Sequence, residues 1–295
     1  MATTTTHVKR PDWLKIKLKT NGHFNDIRKL MSSQKLNTVC EEARCPNIYE
    51  CWSRKTATIM ILGDTCTRAC GFCSVKTGKP SIYDEMEPVR TANAVKEMGL
   101  NHVVITSVDR DDLKNDFGAT MWAETINQIH RKAPDCTVEV LTPDFQGYYP
   151  SMNKVFSARP EIFSHNVECV ERISKKVRSQ SIWQRTKSVL RASIEFGLLT
   201  KTGLMVGLGE TDDEVIVTME EMADLGVEIF NVGQYLQPTK DHLSVDRFVH
   251  PDVFHMYKEK GLAMGFKVVE SGPLVRSSYH ADEQAKMYGV KSNHA

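Results

Sequence analysis

The chain reads Asp64-Thr65-Cys66-Thr67-Arg68-Ala69-Cys70-Gly71-Phe72-Cys73, which places three cysteines in the spacing C-x3-C-x2-C directly after an apolar run at 58–62. Thiolates this closely spaced on one loop can converge on a single inorganic centre. A cubane [4Fe–4S] cluster has four iron corners and binds cysteine thiolates. Three local ligands leave one iron open to a molecule other than protein. The motif therefore favours an iron–sulfur loop with one open iron.

Two other interpretations of these cysteines compete with the cluster. A structural zinc site takes four protein ligands, usually from C-x2-C pairs. Three cysteines close together by chance, or a redox pair, would also give this pattern. The chain has eight cysteines, six of them before residue 75, which suits a reducing compartment and metal binding better than disulfides.

The motif, placed after a first strand, resembles the signature of the radical S-adenosylmethionine (SAM) enzymes. The resemblance implies that the open iron binds the amino and carboxylate groups of SAM. It also implies that the cluster supplies one electron, which cleaves SAM to methionine and a 5′-deoxyadenosyl radical. The motif indicates the superfamily and leaves the reaction open.

A second set of cysteines precedes the first. Cys40, Cys45 and Cys51 have the spacing C-x4-C-x5-C. Thiols in a reduced protein invite oxidation unless they are buried or ligated. The second set therefore predicts a second cluster, again one protein ligand short. The remaining thiols, Cys136 and Cys169, adjoin predicted strands and are expected to be core residues.

The two cysteine sets together resemble those of the lipoyl synthases, and the similarity extends through nearly the whole chain. The similar segments are residues 37–47, 104–113, 138–145, 232–239 and 271–281. The resemblance implies insertion of two sulfur atoms at C6 and C8 of an octanoyl group, with two SAM consumed. The substrate would be carried on a lysine of a lipoyl-carrier domain or a glycine cleavage H-type protein. A ferredoxin or flavodoxin would supply the electrons.

The family pattern also implies an unusual fourth ligand for the second cluster, a serine oxygen. Carried onto this chain, that ligand is Ser278, which precedes Tyr279. The second [4Fe–4S] cluster would lie across the barrel mouth and give up its sulfide to the substrate. The alternative is that Ser277 and Ser278 are ordinary polar residues of a C-terminal tail.

Three residues on the carboxyl side of the barrel are implied as SAM contacts by similarity with related radical SAM enzymes. Asn166 and Glu168 would hydrogen-bond the ribose hydroxyls. Arg185 would pair with the methionine carboxylate in a charge-assisted contact. Glu168 and Arg185 could equally be ordinary helix-surface charges.

Three further SAM contacts are expected at strand ends. Thr106 and Ser107 would lie near the SAM amino group. Val206 belongs to the Gly-rich segment 203–210, which resembles the segment flanking the SAM adenine and allows close backbone approach. Glycines of this kind often only serve a strand–helix turn.

After Cys73, short apolar strands alternate with amphipathic helices, a pattern typical of parallel βαβ units. The six predicted strands are residues 58–62, 102–106, 137–141, 161–164, 202–206 and 227–232. The predicted helices are residues 88–98, 119–133, 181–196, 212–225 and 251–264. The sequence therefore predicts an α/β fold with a partial (βα)6 TIM-type barrel, which the radical SAM resemblance also implies.

The barrel is predicted to occupy residues 56–240. Residues 1–55 would be an N-terminal extension carrying the second-cluster cysteines, and residues 241–295 a C-terminal extension with a strand at 266–270 and the serine motif. Residues 13–19 alternate apolar and basic side chains, which predicts an edge strand or extended arm. A docking surface for an acidic partner is the alternative there.

Length and charge limit the class of protein. At 295 residues the chain suits one large domain or two small ones, and a hydrophobic content of 41% is enough for a sizeable core. A formal net charge of +1 gives no global field that favours nucleic acid or a membrane surface. No apolar run approaches the roughly 18 residues of a spanning helix, and no secretory signal is recognised. We expect a cytoplasmic protein that binds neither nucleic acid nor membrane.

Two rival functions stay open, and one segment departs from the family pattern. A different radical SAM sulfurtransferase or peptide modifier would usually have auxiliary ligands after the barrel, and a non-catalytic iron–sulfur electron carrier would not bind SAM.

The family usually continues after residues 111–113 into a Gly-Gly turn, whereas residues 114–118 contain one glycine. This leaves the turn and any substrate contact there in question.

Overall fold

A computed structural model describes residues 10–14, 22–53 and 58–290. The prediction of an extended segment at 13–19 falls mostly outside these ranges. For Trp13 and Leu14 it is wrong, because both lie in a 3-10 helix, Asp12–Leu14. The Leu14 amide donates to the Pro11 carbonyl at 3.2 Å, and Leu14 is fully buried.

Within residues 10–14, 22–53 and 58–290, ten strands form one large sheet and one small pair. In chain order they are β1 (Asn37–Thr38), β2 (Thr58–Ile61), β3 (Thr65–Cys66), β4 (Lys76–Thr77), β5 (His102–Ser107), β6 (Thr137–Leu141), β7 (Ile162–Ser164), β8 (Thr200–Val206), β9 (Ile229–Gln234) and β10 (Val268–Gly272). The large sheet has the order β1-β2-β5-β6-β7-β8-β9-β10. All of its neighbours are parallel except the edge pair β1–β2. No pairing joins β1 to β10 within the described ranges, so the sheet is open, as in a partial barrel.

Eleven α-helices accompany these strands in the part of the chain that the structure describes. They are α1 (Gly22–Ser33), α2 (Val39–Glu42), α3 (Ile48–Ser53), α4 (Glu87–Met98), α5 (Ala119–Lys132), α6 (Tyr149–Ser157), α7 (Glu171–Val177), α8 (Trp183–Glu195), α9 (Asp212–Leu225), α10 (Pro251–Met264) and α11 (Ala281–Tyr288). Local sequence explains the sharpest ends. Thr211 and Glu214 form a capping box before α9, and Gly226 ends that helix in the left-handed region at φ 97°.

The alternation of strands and helices confirms the predicted α/β fold. The bounds of α9 and α10 agree with the predicted helices at 212–225 and 251–264. Strand β9 begins two residues later than predicted. The Val227 amide donates to the Met222 carbonyl at 3.1 Å, so Val227 completes the cap of α9 and cannot join the sheet.

The C-terminal residues continue the barrel sheet and close its base. Strand β10 pairs in parallel with β9 over its whole length. Helix α11 packs through Ala285 against Ile162, Ile229 and Val268, the first residues of β7, β9 and β10. This burial of apolar surface covers the amino ends of these three strands. No helix in the described residues is long and apolar enough to cross a bilayer.

Candidate active site

The cysteine motif begins with a strained turn after β2. Leu62 and Gly63 both have left-handed backbone angles, with φ 68° and 92°. Such a conformation is costly for a leucine and persists where surrounding contacts hold it. The Glu87 carboxylate, in the first turn of α4, accepts the Leu62 amide at 2.7 Å. This contact fixes the direction in which the chain enters the motif.

The motif loop then folds back on itself and presents its thiols. Cys66 lies opposite Thr77 in the small β3–β4 pair. The Cys73 amide donates to the Cys70 carbonyl at 3.1 Å, which holds these two cysteines in one turn. Cys66 Sγ accepts the Asp109 amide at 3.3 Å, so the loop is docked at the carboxyl end of β5.

Arg68, inside the motif, ties the loop to two strand ends. Its guanidinium donates to Asp111 at 2.7 and 2.8 Å and to Asp144 at 2.7 Å, and lies 3.4 Å from Asp109. Burial alone raises the pKa of Asp144, but the hydrogen bond and charge of Arg68 outweigh it and lower that pKa to about 2. Asp109 and Asp111 follow β5 and Asp144 follows β6, so one buried cation fixes the motif against both strands.

The second cysteine set lies on a compact turn-and-helix segment. Cys40 is in α2, whose N-cap Thr38 accepts the Glu41 amide. The Cys45 amide donates to the Cys40 carbonyl at 3.0 Å, and Cys51 lies in α3. The segment after β1 therefore carries Cys40 and Cys51 on two short helices and Cys45 in the turn between them.

Residues from the far end of the chain pack against this segment. Asn47 Nδ2 donates to the Leu274 carbonyl at 2.7 Å. The Glu50 carboxylate contacts the Tyr279 hydroxyl at 3.2 Å and His280 Nε2 at 3.1 Å. These contacts bring the predicted serine ligand beside the second cysteine set, although more than 200 residues separate them.

Ser278 is held at the amino end of the first barrel strand. Thr58 Oγ1 donates to Ser278 Oγ at 2.7 Å, and Thr58 is the first residue of β2. Cys66 follows the carboxyl end of the same strand. The C-terminal segment enters the barrel, and the two cysteine sets lie toward opposite ends of β2. The position of a second cluster across the barrel mouth stays a prediction.

All six of these cysteines and Ser278 line a single cavity of about 510 Å³. Burial raises the pKa of Cys66, Cys70 and Cys73 to about 11 each and that of Cys40 to about 12. Thiols with such pKa values stay protonated at neutral pH unless a metal displaces the proton. The donor set suits iron–sulfur clusters, which deprotonate their cysteine ligands on binding.

The spacing of the donors differs from that of a single-ion site. Within the described ranges, no three His, Cys, Asp or Glu side chains converge as ligands of one metal ion would. The cysteine ligands of a cubane bind different irons, so the cluster itself separates their sulfur atoms. Two sets of thiols around a shared cavity fit two such clusters.

Four of the expected SAM contacts lie on the wall of the same cavity: Thr106, Ser107, Asn166 and Glu168. The Thr106 hydroxyl donates to the Leu141 carbonyl at 3.0 Å, and the Ser107 hydroxyl donates to the Val108 carbonyl at 2.8 Å. Each hydroxyl hydrogen is therefore engaged, and each oxygen can still act as an acceptor. Asn166 Nδ2 donates to Glu168 Oε1 at 3.1 Å, and burial raises the pKa of Glu168 although Arg178 opposes it.

Two expected SAM contacts do not line the cavity. Arg185 pairs with Asp144 at 3.2 Å and donates to Gln146 Oε1 at 2.9 Å. Val206 is fully buried, and its neighbour Met205 lines the cavity instead, since successive residues of a strand point to opposite faces.

The Gly-rich segment after β8 serves a turn. The Glu210 carboxylate accepts the Gly207 amide at 2.7 Å and the Leu208 amide at 2.9 Å. A Cβ at Gly207 would lie 2.2 Å from Gln234 Nε2, so the close approach there is to protein. Gly207 therefore serves the strand–helix turn, which is the alternative interpretation that the sequence allows for this segment.

Among the polar residues of the cavity that the sequence did not single out are Asp109, His165 and Arg178. Burial raises the pKa of Cys70 and the nearby charge of Arg178 lowers it, so Arg178 is a cation beside the first cysteine set. His165 Nδ1 lies 2.9 Å from the Thr142 carbonyl, and its Nε2 has no partner within the described ranges. Only the position of His165 beside Asn166, after a predicted strand, could have drawn attention to it.

Comparison with known proteins decides the family. The model of the radical SAM superfamily matches residues 60–222, and that of the N-terminal domain of lipoyl synthase matches residues 2–45. The chain is 53% identical over 287 residues to a lipoyl synthase of Oceanobacillus iheyensis, covering 96% of this chain and 91% of the relative. A lipoyl synthase of Shouchella clausii is 54% identical over 287 residues, with 96% and 93% covered. The chain belongs to the lipoyl synthase family.

Solved structures with low sequence identity show the same fold. Streptococcus suis SuiB bound to S-adenosylmethionine has a TM-score of 0.59 at 9% identity, covering 83% of this chain and 60% of that chain. Methylornithine synthase has a TM-score of 0.53 at 13% identity, with 86% and 82% covered.

Membership of the lipoyl synthase family makes this protein a radical SAM enzyme of lipoyl group formation, which uses a [4Fe–4S] cluster and SAM.

Proposed function

We propose that this protein inserts sulfur at C6 and C8 of a protein-bound octanoyl group and that two [4Fe–4S] clusters occupy the one cavity. Cys66, Cys70 and Cys73 would hold the first cluster. Cys40, Cys45, Cys51 and Ser278 would hold the second, the sulfur donor. The observation that carries the proposal is that both sets line the same cavity.

The chemistry accounts for the two sets. An unactivated C–H bond cannot be opened by acid–base groups, so a cofactor must supply a radical oxidant. When bound, the first cluster and SAM supply that radical, and the second cluster supplies sulfide. The apolar walls of the cavity would exclude water and hold the octanoyl chain between the two sets. The placement of the sets toward opposite ends of β2 leaves room for such a chain.

The polar residues on the wall would bind SAM. Asn166 and Glu168 would contact the ribose, and the acceptor oxygens of Thr106 and Ser107 would lie near the SAM amino group. For the methionine carboxylate, Arg178 is better placed than Arg185, because Arg178 lines the cavity and Arg185 is engaged by Asp144. Val206 itself does not line the cavity, and its neighbour Met205 would face SAM there.

Ser278 would give the second cluster one oxygen ligand. An alkoxide is a harder donor than a thiolate and gives a labile bond to iron. Thr58 donates to Ser278 Oγ at 2.7 Å and would keep that oxygen oriented. Lability suits a cluster that loses sulfide to the substrate.

The remaining partners follow from the reaction. The octanoyl group would arrive on a lysine of a lipoyl-carrier domain or an H-type protein, and a ferredoxin or flavodoxin would deliver electrons. The second-cluster cysteines would come from residues 1–55 and the barrel from residues 56–240. The serine motif would come from residues 241–295. Cysteines kept as thiols fit a reducing cytoplasm.

The test is an anaerobic assay of reconstituted protein with SAM, dithionite and an octanoyl-lysine peptide. Mass spectrometry follows 5′-deoxyadenosine and the peptide together. We expect the nucleoside and a peptide carrying two added sulfurs. Nucleoside with unchanged peptide would retain the radical SAM chemistry and contradict the substrate.

A further inference from the structure

The C-terminal segment 273–279 contacts both groups of candidate site residues from inside the barrel. Ser277 and Ser278 are adjacent, yet their hydroxyls contact different walls. Ser278 Oγ accepts from Thr58 at 2.7 Å, beside the second cysteine set. Ser277 Oγ accepts from Asn166 Nδ2 at 2.6 Å, on the wall that carries the expected SAM contacts. One short segment therefore joins the two regions.

The contact with Ser277 determines how Asn166 presents its amide. The amide nitrogen has two hydrogens, and each has a partner. One is donated to Ser277 Oγ and the other to Glu168 Oε1 at 3.1 Å. Two bonds in different directions fix the plane of the amide on the cavity wall, whereas one bond would leave it able to rotate.

Ser277 is itself held from neighbouring elements. Asn231, in the middle of β9, donates from Nδ2 to the Ser277 carbonyl at 3.0 Å. A Cβ at Gly233 would lie 2.2 Å from the Val275 carbonyl oxygen, which shows how closely the segment passes β9. Asn47 holds the start of the segment through the Leu274 carbonyl at 2.7 Å. The backbone that presents Ser277 is thus anchored to β9 and to the second cysteine segment.

We propose that Ser277 is a positioning residue that orients Asn166 for SAM and ties the SAM site to the segment that supplies Ser278. The inference rests on the proposed function, which assigns Asn166 to SAM and Ser278 to the second cluster. Removing the Ser277 hydroxyl would release one of the two bonds that fix Asn166. The affinity for SAM would fall while the ligand set of the second cluster stayed complete.

The test compares Ser277→Ala, Ser277→Thr and Ser271→Ala with the wild type after anaerobic reconstitution. SAM binding is measured by equilibrium dialysis, and the clusters by iron content and electron paramagnetic resonance. For Ser277→Ala we expect roughly three- to tenfold weaker SAM binding, the usual worth of one hydrogen bond, with wild-type iron content. Ser277→Thr keeps a hydroxyl and should recover most of the affinity.

Ser271→Ala is the matched control. Ser271 lies in β10, and its hydroxyl oxygen is buried without a hydrogen-bond partner in the described part of the chain. Its removal should change neither SAM binding nor iron content. In steady-state formation of 5′-deoxyadenosine, Ser277→Ala should raise the KM for SAM by a similar factor and leave kcat within about twofold.

Two results would overturn the inference. One is wild-type SAM affinity in Ser277→Ala. The other is loss of about half of the iron in Ser277→Ala, which would make Ser277 a support or ligand of the second cluster. If the wild type is active and Ser277→Ala gives either result, only this inference is contradicted. If the wild type neither binds SAM nor converts the octanoyl peptide, the proposed function is contradicted as well.

Discussion

Arg68 sits between two motif cysteines with its side chain 4% exposed, and three aspartates surround its guanidinium. Replacing Arg68 by Ala would leave the buried carboxylates without their cation. Breaking a buried ion pair in this way typically costs about 3–5 kcal/mol. We therefore expect Arg68→Ala to lower the free energy of unfolding of the apo-protein by that amount, measured by urea denaturation, and to reduce iron uptake.

A surface arginine provides the control for that variant. Arg172 pairs with Glu214, but its side chain is 57% exposed. Solvent screens exposed ion pairs, and holding two long side chains in one geometry costs entropy, so Arg172→Ala should change stability little. Equal stabilities of the two variants would show that the aspartate cluster does not hold the motif loop.

His165 predicts a pH dependence. Burial, and then the charge of Arg178, lower its pKa from 6.5 to about 4, so the folded protein keeps this imidazole neutral where the unfolded chain takes up a proton. Above pH 6.5 His165 is neutral in both states and does not affect the free energy of unfolding. As pH falls from 6.5 to about 4, only the unfolded chain takes up the proton, so the free energy of unfolding decreases. We expect His165→Gln to flatten the decline of apo-protein stability over this window, as measured by urea denaturation at several pH values. An unchanged slope would contradict this role for His165.

At the scale of residues, the candidate cysteines are easier to predict from the sequence than the side chains that surround them. Cysteine spacing is local, so both sets could be read from the chain. Arg178 and Asp109 lack such a local signal, because only the fold brings them to the cavity. Arg68 lies within the motif, but its role could not be predicted because its aspartate partners lie on two other loops.

At the scale of elements, the strands and several helices could be predicted because each has its own apolar pattern. Helix α7 and the C-terminal α11 escaped prediction because they are short and mostly polar on the outside. The sequence also did not predict the path of segment 273–279 into the barrel. That path depends on contacts with β9, β2 and the second cysteine segment, none of which is adjacent in sequence.

Gly233 tests that path. An added Cβ would lie 2.2 Å from the backbone oxygen of Val275, an overlap that no side-chain rotation relieves. Gly233→Ala should displace the segment and remove the second cluster, so iron should fall from about eight to about four per chain. Gly78→Ala is the control, since a Cβ there would have an ordinary contact of 3.4 Å with Thr65. Iron content near eight in Gly233→Ala would contradict the placement of the segment.

At the scale of the whole molecule, segments that lie far apart in the chain meet at one cavity. Residues 40–51 carry three of its cysteines, segment 273–279 carries Ser278, and the loop after β2 carries the first cysteine set. Sequence alone indicated two clusters and the family. It could not show that both cysteine sets share one cavity, since this requires the C-terminal residues to return to the amino end of β2.

The most direct test of two cooperating sets is the Cys40→Ala variant, given SAM, dithionite and octanoyl-lysine peptide under anaerobic conditions. Cys136→Ala, a core thiol away from the cavity, is the matched control and should give both products. For Cys40→Ala we predict 5′-deoxyadenosine without any thiolated peptide, because the first set is intact and the sulfur donor is lost. Thiolated peptide at the wild-type yield from Cys40→Ala would contradict the assignment of the second set as the sulfur source.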